Sequence, residues 1–157
     1  MDHSRLQNVL RSISHVCGTP DAEFIEEIQT LWSGYGSLFR AKAGKGTVIA
    51  KWISPPAQMR HPRGFGGAHS HARKLRSYRV EREFYERWSS RTNSSCRVPA
   101  LNAVCQLGNE SILVLEDLDA AGFSARFDAV SDTGLRAILD WLASFHAQYL
   151  GIVPEGL

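Results

Sequence analysis

The chain has 157 residues, of which 43% are hydrophobic and 22% are charged, enough for one globular domain with an apolar core. This composition excludes a disordered or fibrous protein. Lys and Arg number 18 against 16 Asp and Glu, and a net charge of +2 excludes the basic excess of a general nucleic-acid binder. No stretch approaches the ~20 apolar residues of a membrane span, so we expect a cytoplasmic protein without a membrane partner.

The three cysteines are odd in number and lack the spacing of metal ligands: Cys17, Cys96 and Cys105. Such usage is typical of a reduced cytosolic protein rather than of a disulfide-stabilised secreted one. We therefore expect the three thiols to pack in the interior.

Apolar periodicity and turn residues predict, in chain order, a helix, three strands, a helix, two strands and a final helix. The predicted helices cover residues 5–16, 70–89 and 133–150, with Ser70 as the N-cap of the second. The predicted strands cover 25–32, 37–43, 47–53, 103–107 and 111–116. Short glycine-containing turns join neighbouring strands, which predicts antiparallel pairing and an α+β fold with a five-stranded sheet. Residues 54–69 are rich in Pro, Gly, His and Arg and predict a mobile surface loop.

Lys51 lies in the third predicted strand, and strand alternation places it on the same face as Ile49 and Ile53. A lysine on an apolar strand face needs a partner or a path to water. It either forms an ion pair or extends from a strand edge into solvent.

Glu81 lies in the second predicted helix near the centre of an aromatic stripe formed by Tyr78, Phe84, Tyr85 and Trp88. Glu83 and Glu86 are expected to point away from this stripe. A carboxylate among aromatic rings requires a cation, and we expect the charged groups of Lys51 and Glu81 to lie within ~4 Å. The alternative is a boundary residue paired with Arg82 or Lys74.

Two further segments carry candidate backbone contacts. The glycine turn, residues 33–37, contains Gly34 and Gly36, and glycines allow backbone N–H groups to approach phosphate oxygens. A plain hairpin turn would also explain these glycines. The last predicted strand runs directly into the acidic sequence Glu116-Asp117-Leu118-Asp119.

Three motifs in order resemble the superfamily of choline kinases, aminoglycoside phosphotransferases and ecdysteroid-kinase-like proteins, which has a protein-kinase-like fold. They are Tyr78-x-x-Glu81-x-x-Phe84-Tyr85, the run from Leu113 to Leu118 followed by Ala121-Gly122-Phe123, and Trp141-Leu142-Ala143-x-Phe145-His146-Ala147. The resemblance extends from about Ile25 to the end of the sequence, and residues 61–64 and 70–75 are similar to bacterial members.

The resemblance implies an N-terminal kinase lobe that binds ATP. Lys51 would contact the α- and β-phosphates, Glu81 would orient Lys51, and the turn at Gly34 and Gly36 would cover the phosphates. Backbone groups of the segment from Glu116 to Leu118 would hold adenine. The implied divisions are an N-terminal helix at 1–20, the lobe at 21–116, a hinge at 117–121 and the start of a second lobe at 122–157.

The same resemblance implies residues that this sequence does not contain. These families place a catalytic Asp in a His-Gly-Asp loop and a metal-binding Asp further along, and neither arrangement occurs here. We therefore expect the catalytic Asp and the Mg²⁺ ligands beyond Leu157 and no catalytic or metal-binding residue within the chain, which by itself would be catalytically incomplete. The acceptor would be a hydroxyl of a small metabolite, sugar, amino alcohol or antibiotic.

The remaining polar residues suggest weaker alternatives. His61, His69 and His71 lack a third ligand for a metal site, and His146 is expected to pack in the core. The basic residues Arg60, Arg63, Arg73, Lys74, Arg76 and Arg79 lack a nucleic-acid motif and are expected to form a solvated or phosphate-facing surface. The alternative function is a non-catalytic pseudokinase-like or basic binding module. The apolar stripe of the last helix predicts self-association.

Overall fold

The computed structural model describes residues 3–56 and 67–153, which form an α+β fold with three α-helices and one five-stranded antiparallel sheet. The helices are α1 (His3–Cys17), α2 (Gly67–Glu83) and α3 (Asp132–Tyr149), and the strands are β1 (Ala22–Thr30), β2 (Gly36–Ala43), β3 (Gly46–Ile53), β4 (Leu101–Leu107) and β5 (Glu110–Glu116). The α+β class and the five antiparallel strands predicted from the sequence are confirmed. Most of the predicted loop at 54–69, with His61, lies outside the described residues.

The strand order is β1-β2-β3-β5-β4, and each neighbouring pair is antiparallel. Strand β1 forms one edge, begins three residues before its predicted start and ends at Thr30 rather than Trp32. Its side chains are mostly exposed, so hydrogen bonding to β2 rather than apolar content defines its limits. Trp32, predicted to end this strand, is 80% exposed in a short 3₁₀ turn.

Helix α1 covers one face of the sheet. Its buried residues Val9, Leu10 and Ile13 pack against inward side chains of the strands, which include Phe39, Ala41, Val48, Ala50, Trp52, Cys105, Ile112 and Val114. Cys105 belongs to this core, Cys96 is fully buried elsewhere and Cys17 is partly buried, so the packing predicted for the thiols is confirmed. Burial raises the pKa of Cys17 and of Cys105 and keeps both thiols protonated at neutral pH.

Helix α2 lies against the opposite face, which we call the α2 face. Ile53, Leu113 and Leu115 form its buried cluster, and Tyr78 and Tyr85 of the helical segment pack against it. The helix begins at Gly67, so Ser70 lies inside it rather than at its N-cap. The segment predicted as one helix to residue 89 changes at Phe84–Trp88 into a π-helical turn closed by the Ser89 N–H on the Phe84 carbonyl.

The π-helical turn packs against α3 through aromatic side chains. The Phe84 and Phe145 rings are 5.7 Å apart, and the Tyr149 hydroxyl donates to the Trp88 carbonyl over 2.8 Å. Helix α3 begins where the Ser131 hydroxyl accepts a hydrogen bond from Gly134 N–H. Its outer side exposes four large apolar residues, Leu135, Ile138, Leu139 and Leu142. None of the helices at residues 3–56 and 67–153 combines the length and apolar character needed to cross a bilayer.

Candidate functional site

The centre of the candidate site is an ion pair between β3 and α2. Lys51 Nζ donates to both carboxylate oxygens of Glu81, over 2.5 Å and 2.7 Å. Strand alternation produces this contact, because Val48, Ala50 and Trp52 face α1 while Ile49, Lys51 and Ile53 face α2. The predicted pairing within ~4 Å is confirmed. The suggested alternative partner Arg82 instead binds Glu86 and Gln106.

Aromatic rings enclose part of this pair. The Lys51 side chain is 18% exposed, and its Nζ lies 5.7 Å from the centroid of the Tyr78 ring. Burial, together with the negative charge of Glu81, raises the pKa of Tyr78 and of Tyr85. Both phenols therefore stay neutral at physiological pH, and the ammonium and the carboxylate are the charged groups at this point. A partly desolvated ammonium interacts more strongly with an anion than a fully hydrated one.

The other two glutamates of this helical segment, Glu83 and Glu86, differ in solvent exposure. Glu86 is exposed and accepts from Arg82, as expected for a residue that points away from the stripe. The side chain of Glu83 is only 17% exposed, because Arg87 covers it with its Nε 2.7 Å from a carboxylate oxygen. Glu83 is therefore largely covered but does not join the Lys51 pair, whose carboxylate is that of Glu81.

The glycine turn lies close to this pair along the sheet. Gly36 is paired with Ile53, and Leu38, two residues further along β2, is paired with Lys51. This spacing separates Gly36 from the strand position opposite Lys51 by about 7 Å. Gly34 has φ +73° and Gly36 has φ +126°, and a Cβ atom on Gly36 would lie 1.9 Å from the Trp52 carbonyl oxygen. Close approach of the β3 backbone therefore accounts for Gly36.

Tyr35, between the two glycines, ties the glycine turn to α2. Its side chain is buried, and its hydroxyl lies 2.5 Å from Nδ1 of His71. The Tyr35 ring also lies 6.0 Å from the Tyr78 ring and 4.7 Å from the Lys74 ammonium. His71 was predicted to lie in the loop but is part of the first turns of α2, and its contact with Tyr35 was not predicted.

The segment after β5 was predicted to supply backbone groups at Glu116 and Leu118. The Glu116 N–H donates to the Ala100 carbonyl over 2.8 Å, and the Leu118 carbonyl accepts from Phe123 N–H over 2.8 Å. Within the described part of the chain, no acceptor is bonded to the Leu118 N–H. Of these backbone groups, the Leu118 N–H is the donor left available to a ligand.

The Glu116 side chain is bonded within the protein and does not face a ligand. Its carboxylate accepts from the Ala100 N–H over 3.0 Å and from Arg97 over 2.6 Å. The hydrogen bond from Ala100, with that of Arg97, lowers the pKa of Glu116 despite partial burial. The side chain therefore anchors the end of β5 to the chain before β4.

A charged cluster that the sequence analysis missed fixes the same segment to β2. Asp117 is 5% exposed, and its carboxylate accepts from Arg40 Nε over 2.7 Å, Thr47 Oγ1 over 2.6 Å and Asp119 N–H over 3.1 Å. Arg40 also binds Asp119 over 2.5 Å and pairs with Glu26. Burial alone would raise the pKa of Asp117, but these hydrogen bonds outweigh it and lower that pKa.

Arg40 lies on the α2 face with Lys51, because Arg40 is paired with Ile49 across β2 and β3. Two sequence features could have indicated this cluster: an arginine inside a predicted strand and a run of carboxylates after the last strand. Arg40 and Asp117 are 77 positions apart, however, and the periodicity of neither segment predicts that they meet.

Other predicted polar residues lie apart from the pair. Arg73, Arg76 and Arg79 are exposed on α2, while Arg60 and Arg63 lie outside the described residues. His146 is exposed on α3 rather than packed in the core, because the outer side of this helix is uncovered. In the described ranges, no group of three or more His, Cys, Asp or Glu side chains is arranged to hold a metal ion.

No protein-family model matches this chain, and a search of curated proteins gives no significant match.

Proposed function

We propose that the chain is the N-terminal, ATP-binding part of a small-molecule kinase with a protein-kinase-like fold. In this proposal residues 21–116 form the nucleotide-binding lobe, 117–121 form the hinge, and 122–157 begin the second lobe, with α1 as an added N-terminal helix. The observation that carries the proposal is the ion pair from Lys51 to both oxygens of Glu81. A strand lysine held by a helix glutamate is how protein kinases position a cation for nucleotide phosphates.

The proposed phosphate site uses the fixed ammonium of Lys51. Because Glu81 engages the ammonium through two oxygens, Lys51 is held in one position instead of moving freely. The third N–H of the ammonium group remains for an anionic ligand. The glycine turn lies about two strand residues away, which is the distance over which a nucleotide's phosphate chain can contact both elements.

The proposed adenine site uses the hinge. The Leu118 N–H supplies a donor for a ring nitrogen of adenine, whereas the Glu116 N–H is already bonded to Ala100. Arg40 and Asp117 hold the hinge against β2, so this donor has a fixed position relative to Lys51. The proposal therefore assigns Lys51 to the phosphates, Glu81 to orienting Lys51, and Leu118 to the base.

The transfer reaction requires further groups. Phosphoryl transfer to a hydroxyl needs carboxylates for Mg²⁺ and a residue that positions the acceptor. The proposal assigns none of these roles to a residue of this chain. The acceptor in this proposal is a hydroxyl of a small metabolite, sugar, amino alcohol or antibiotic. Residues 1–157 are then expected to bind ATP without transferring phosphate.

The experiment is a titration of the 157-residue chain with ATP, followed by isothermal calorimetry or by amide chemical shifts. Loss of a charge-assisted contact predicts that Lys51→Ala weakens binding by about tenfold or more. The matched control is Lys42→Ala, because Lys42 is an exposed β2 lysine with a surface contact to Glu23 and should change the affinity less than about twofold. Equal binding by Lys51→Ala and wild type would remove Lys51 from the site.

The alternative is a non-catalytic pseudokinase-like or basic binding module, and the observation that favours it is the exposed row of Arg73, Arg76 and Arg79 on α2. A variant with all three arginines changed to glutamine separates the two functions. If this variant loses binding to ATP and to tripolyphosphate alike while Lys51→Ala keeps it, the basic surface is the binding site.

A further inference from the structure

The glycine turn is closed on itself. The Gly34 N–H donates to the Leu31 carbonyl over 3.1 Å, and the Leu31 N–H donates to the Gly36 carbonyl over 2.8 Å. The Tyr35 carbonyl accepts from the Ser54 N–H over 2.7 Å. The Gly34 amide that would face a phosphate is therefore already bonded within the protein.

The Tyr35 side chain packs on α2, one aromatic ring away from the Lys51 ammonium. The ring is 1% exposed, it contacts the Tyr78 ring, and the Tyr78 ring in turn lies 5.7 Å from Lys51 Nζ. A large aromatic side chain at the tip of a surface turn is ordinarily exposed, since turns run over the surface. Its burial against α2 ties the glycine turn to the helix that carries Glu81.

A polar contact with α2 fixes the hydroxyl end of this ring. The Tyr35 hydroxyl lies 2.5 Å from His71 Nδ1, which is hydrogen-bond distance. The two flanking glycines have positive φ angles, a conformation that other residues adopt rarely, and they give the turn the freedom to change shape. The turn thus has a contact that holds it on α2, between Tyr35 and His71, and two glycines that allow its backbone to change conformation.

We infer that Tyr35 is a gate that closes the phosphate-binding face, held shut by its hydrogen bond to His71. This inference rests on the proposed nucleotide site. Phosphates reach Lys51 and the turn amides when Tyr35 leaves α2 and the bond to His71 breaks. The fraction of molecules with an open gate then sets the affinity for ATP, because the apparent Kd equals the intrinsic Kd divided by that fraction.

The test is the effect of breaking the Tyr35–His71 contact on ATP binding by the 157-residue chain. Tyr35→Phe and His71→Leu each remove the same hydrogen bond, and each is expected to tighten ATP binding by about threefold to fivefold, the equivalent of one neutral hydrogen bond. The double variant is expected to gain little beyond either single variant, because both act on one contact. Amide hydrogen exchange at residues 34–36 is expected to accelerate in the same variants.

Tyr149→Phe is the matched control, since Tyr149 also donates its hydroxyl to a fixed acceptor, the Trp88 carbonyl, but lies against α3. It should leave ATP binding unchanged. If wild type binds ATP and the Tyr35 and His71 variants bind it equally or more weakly, the contact positions the site or is neutral and the gate is overturned alone. If none of the proteins binds ATP, the nucleotide site is overturned and the gate with it.

Discussion

The buried carboxylate of Asp117 is expected to make a large contribution to stability, and Asp117→Asn tests it. The substitution keeps the size of the side chain and removes its negative charge. In the wild type the carboxylate accepts from Arg40, Thr47 and the Asp119 N–H, and the side chain is 3% exposed. The amide retains one acceptor oxygen and adds an NH₂ group that cannot donate to Arg40, because a guanidinium has no acceptor.

The size of the effect follows from what remains around Arg40. Hydrogen bonds to a charged group contribute about 1.5–3 kcal/mol each, and breaking a buried ion pair costs about 3–5 kcal/mol. Arg40 keeps Asp119 and Glu26 as partners in the variant, so its charge is not left alone. We therefore expect a loss of about 2–3 kcal/mol in the free energy of unfolding, below the full ion-pair value.

Urea unfolding followed by tryptophan fluorescence measures this loss. For a chain of this length, 2–3 kcal/mol corresponds to a fall in Tm of about 4–12 °C. Asp128→Asn is the control, since Asp128 is exposed in the chain between β5 and α3, and a surface change of this kind stays within about 0.5 kcal/mol. A loss at Asp117→Asn no larger than that of the control would show that this cluster does not stabilise the segment after β5.

The pH dependence gives an independent check on the same residue. The pKa of Asp117 is lower in the folded protein than in the unfolded chain, so the unfolded state takes up the proton first as the pH falls. The stabilisation from this carboxylate is fully present above the unfolded value of about 3.9 and is lost as the pH falls through the folded pKa. The difference in stability between wild type and Asp117→Asn should therefore shrink below about pH 4.

Two further predictions concern the turn and the outer helix. Gly36→Ala should lower the free energy of unfolding by about 2–3 kcal/mol, because the new Cβ meets the Trp52 carbonyl at a positive φ. Gly34→Ala should lower it by about 1 kcal/mol, because open space surrounds Gly34 and only the positive φ is unfavourable. Urea unfolding of both variants measures the difference. Wild type should self-associate through the exposed Ile138 and Leu139, and Leu139→Glu should lower its weight-average mass in sedimentation experiments. A monomeric wild type at high concentration contradicts the second prediction.

The sequence was sufficient for features that depend on local periodicity. Lys51 shares a face with Ile49 and Ile53 because side chains alternate along any strand. Glu81 faces the sheet because its phase is set by neighbouring aromatic residues within one helix. These two local patterns were enough to predict a contact between residues 30 positions apart, since each left one charge on an apolar face.

The features that the sequence did not predict depend on pairing between distant elements. Arg40 meets Asp117 only through the register of β2 on β3 and of β3 on β5. Tyr35 meets His71 only because α2 begins at Gly67 and lies beside the glycine turn. The helical periodicity of the sequence continues through Phe84–Trp88, so it does not predict the π-helical turn found there. We attribute this turn to the packing of Phe84 against α3.

The ion pair, the Tyr35 gate and the aromatic packing all involve the attachment of α2 to the rest of the protein. Of its residues 69–83, none is fully buried, so little apolar burial holds this helix to the sheet. Its attachments include the contact of His71 with Tyr35, the pair of Glu81 with Lys51, the hydrogen bond of Arg82 to Gln106, and the aromatic turn that follows it against α3. An element held mainly by polar contacts opens at lower free energy than a core element. If the proposed nucleotide site is correct, a ligand that draws Lys51 or Tyr35 toward itself also shifts α2, and this helix then couples ligand binding to conformation.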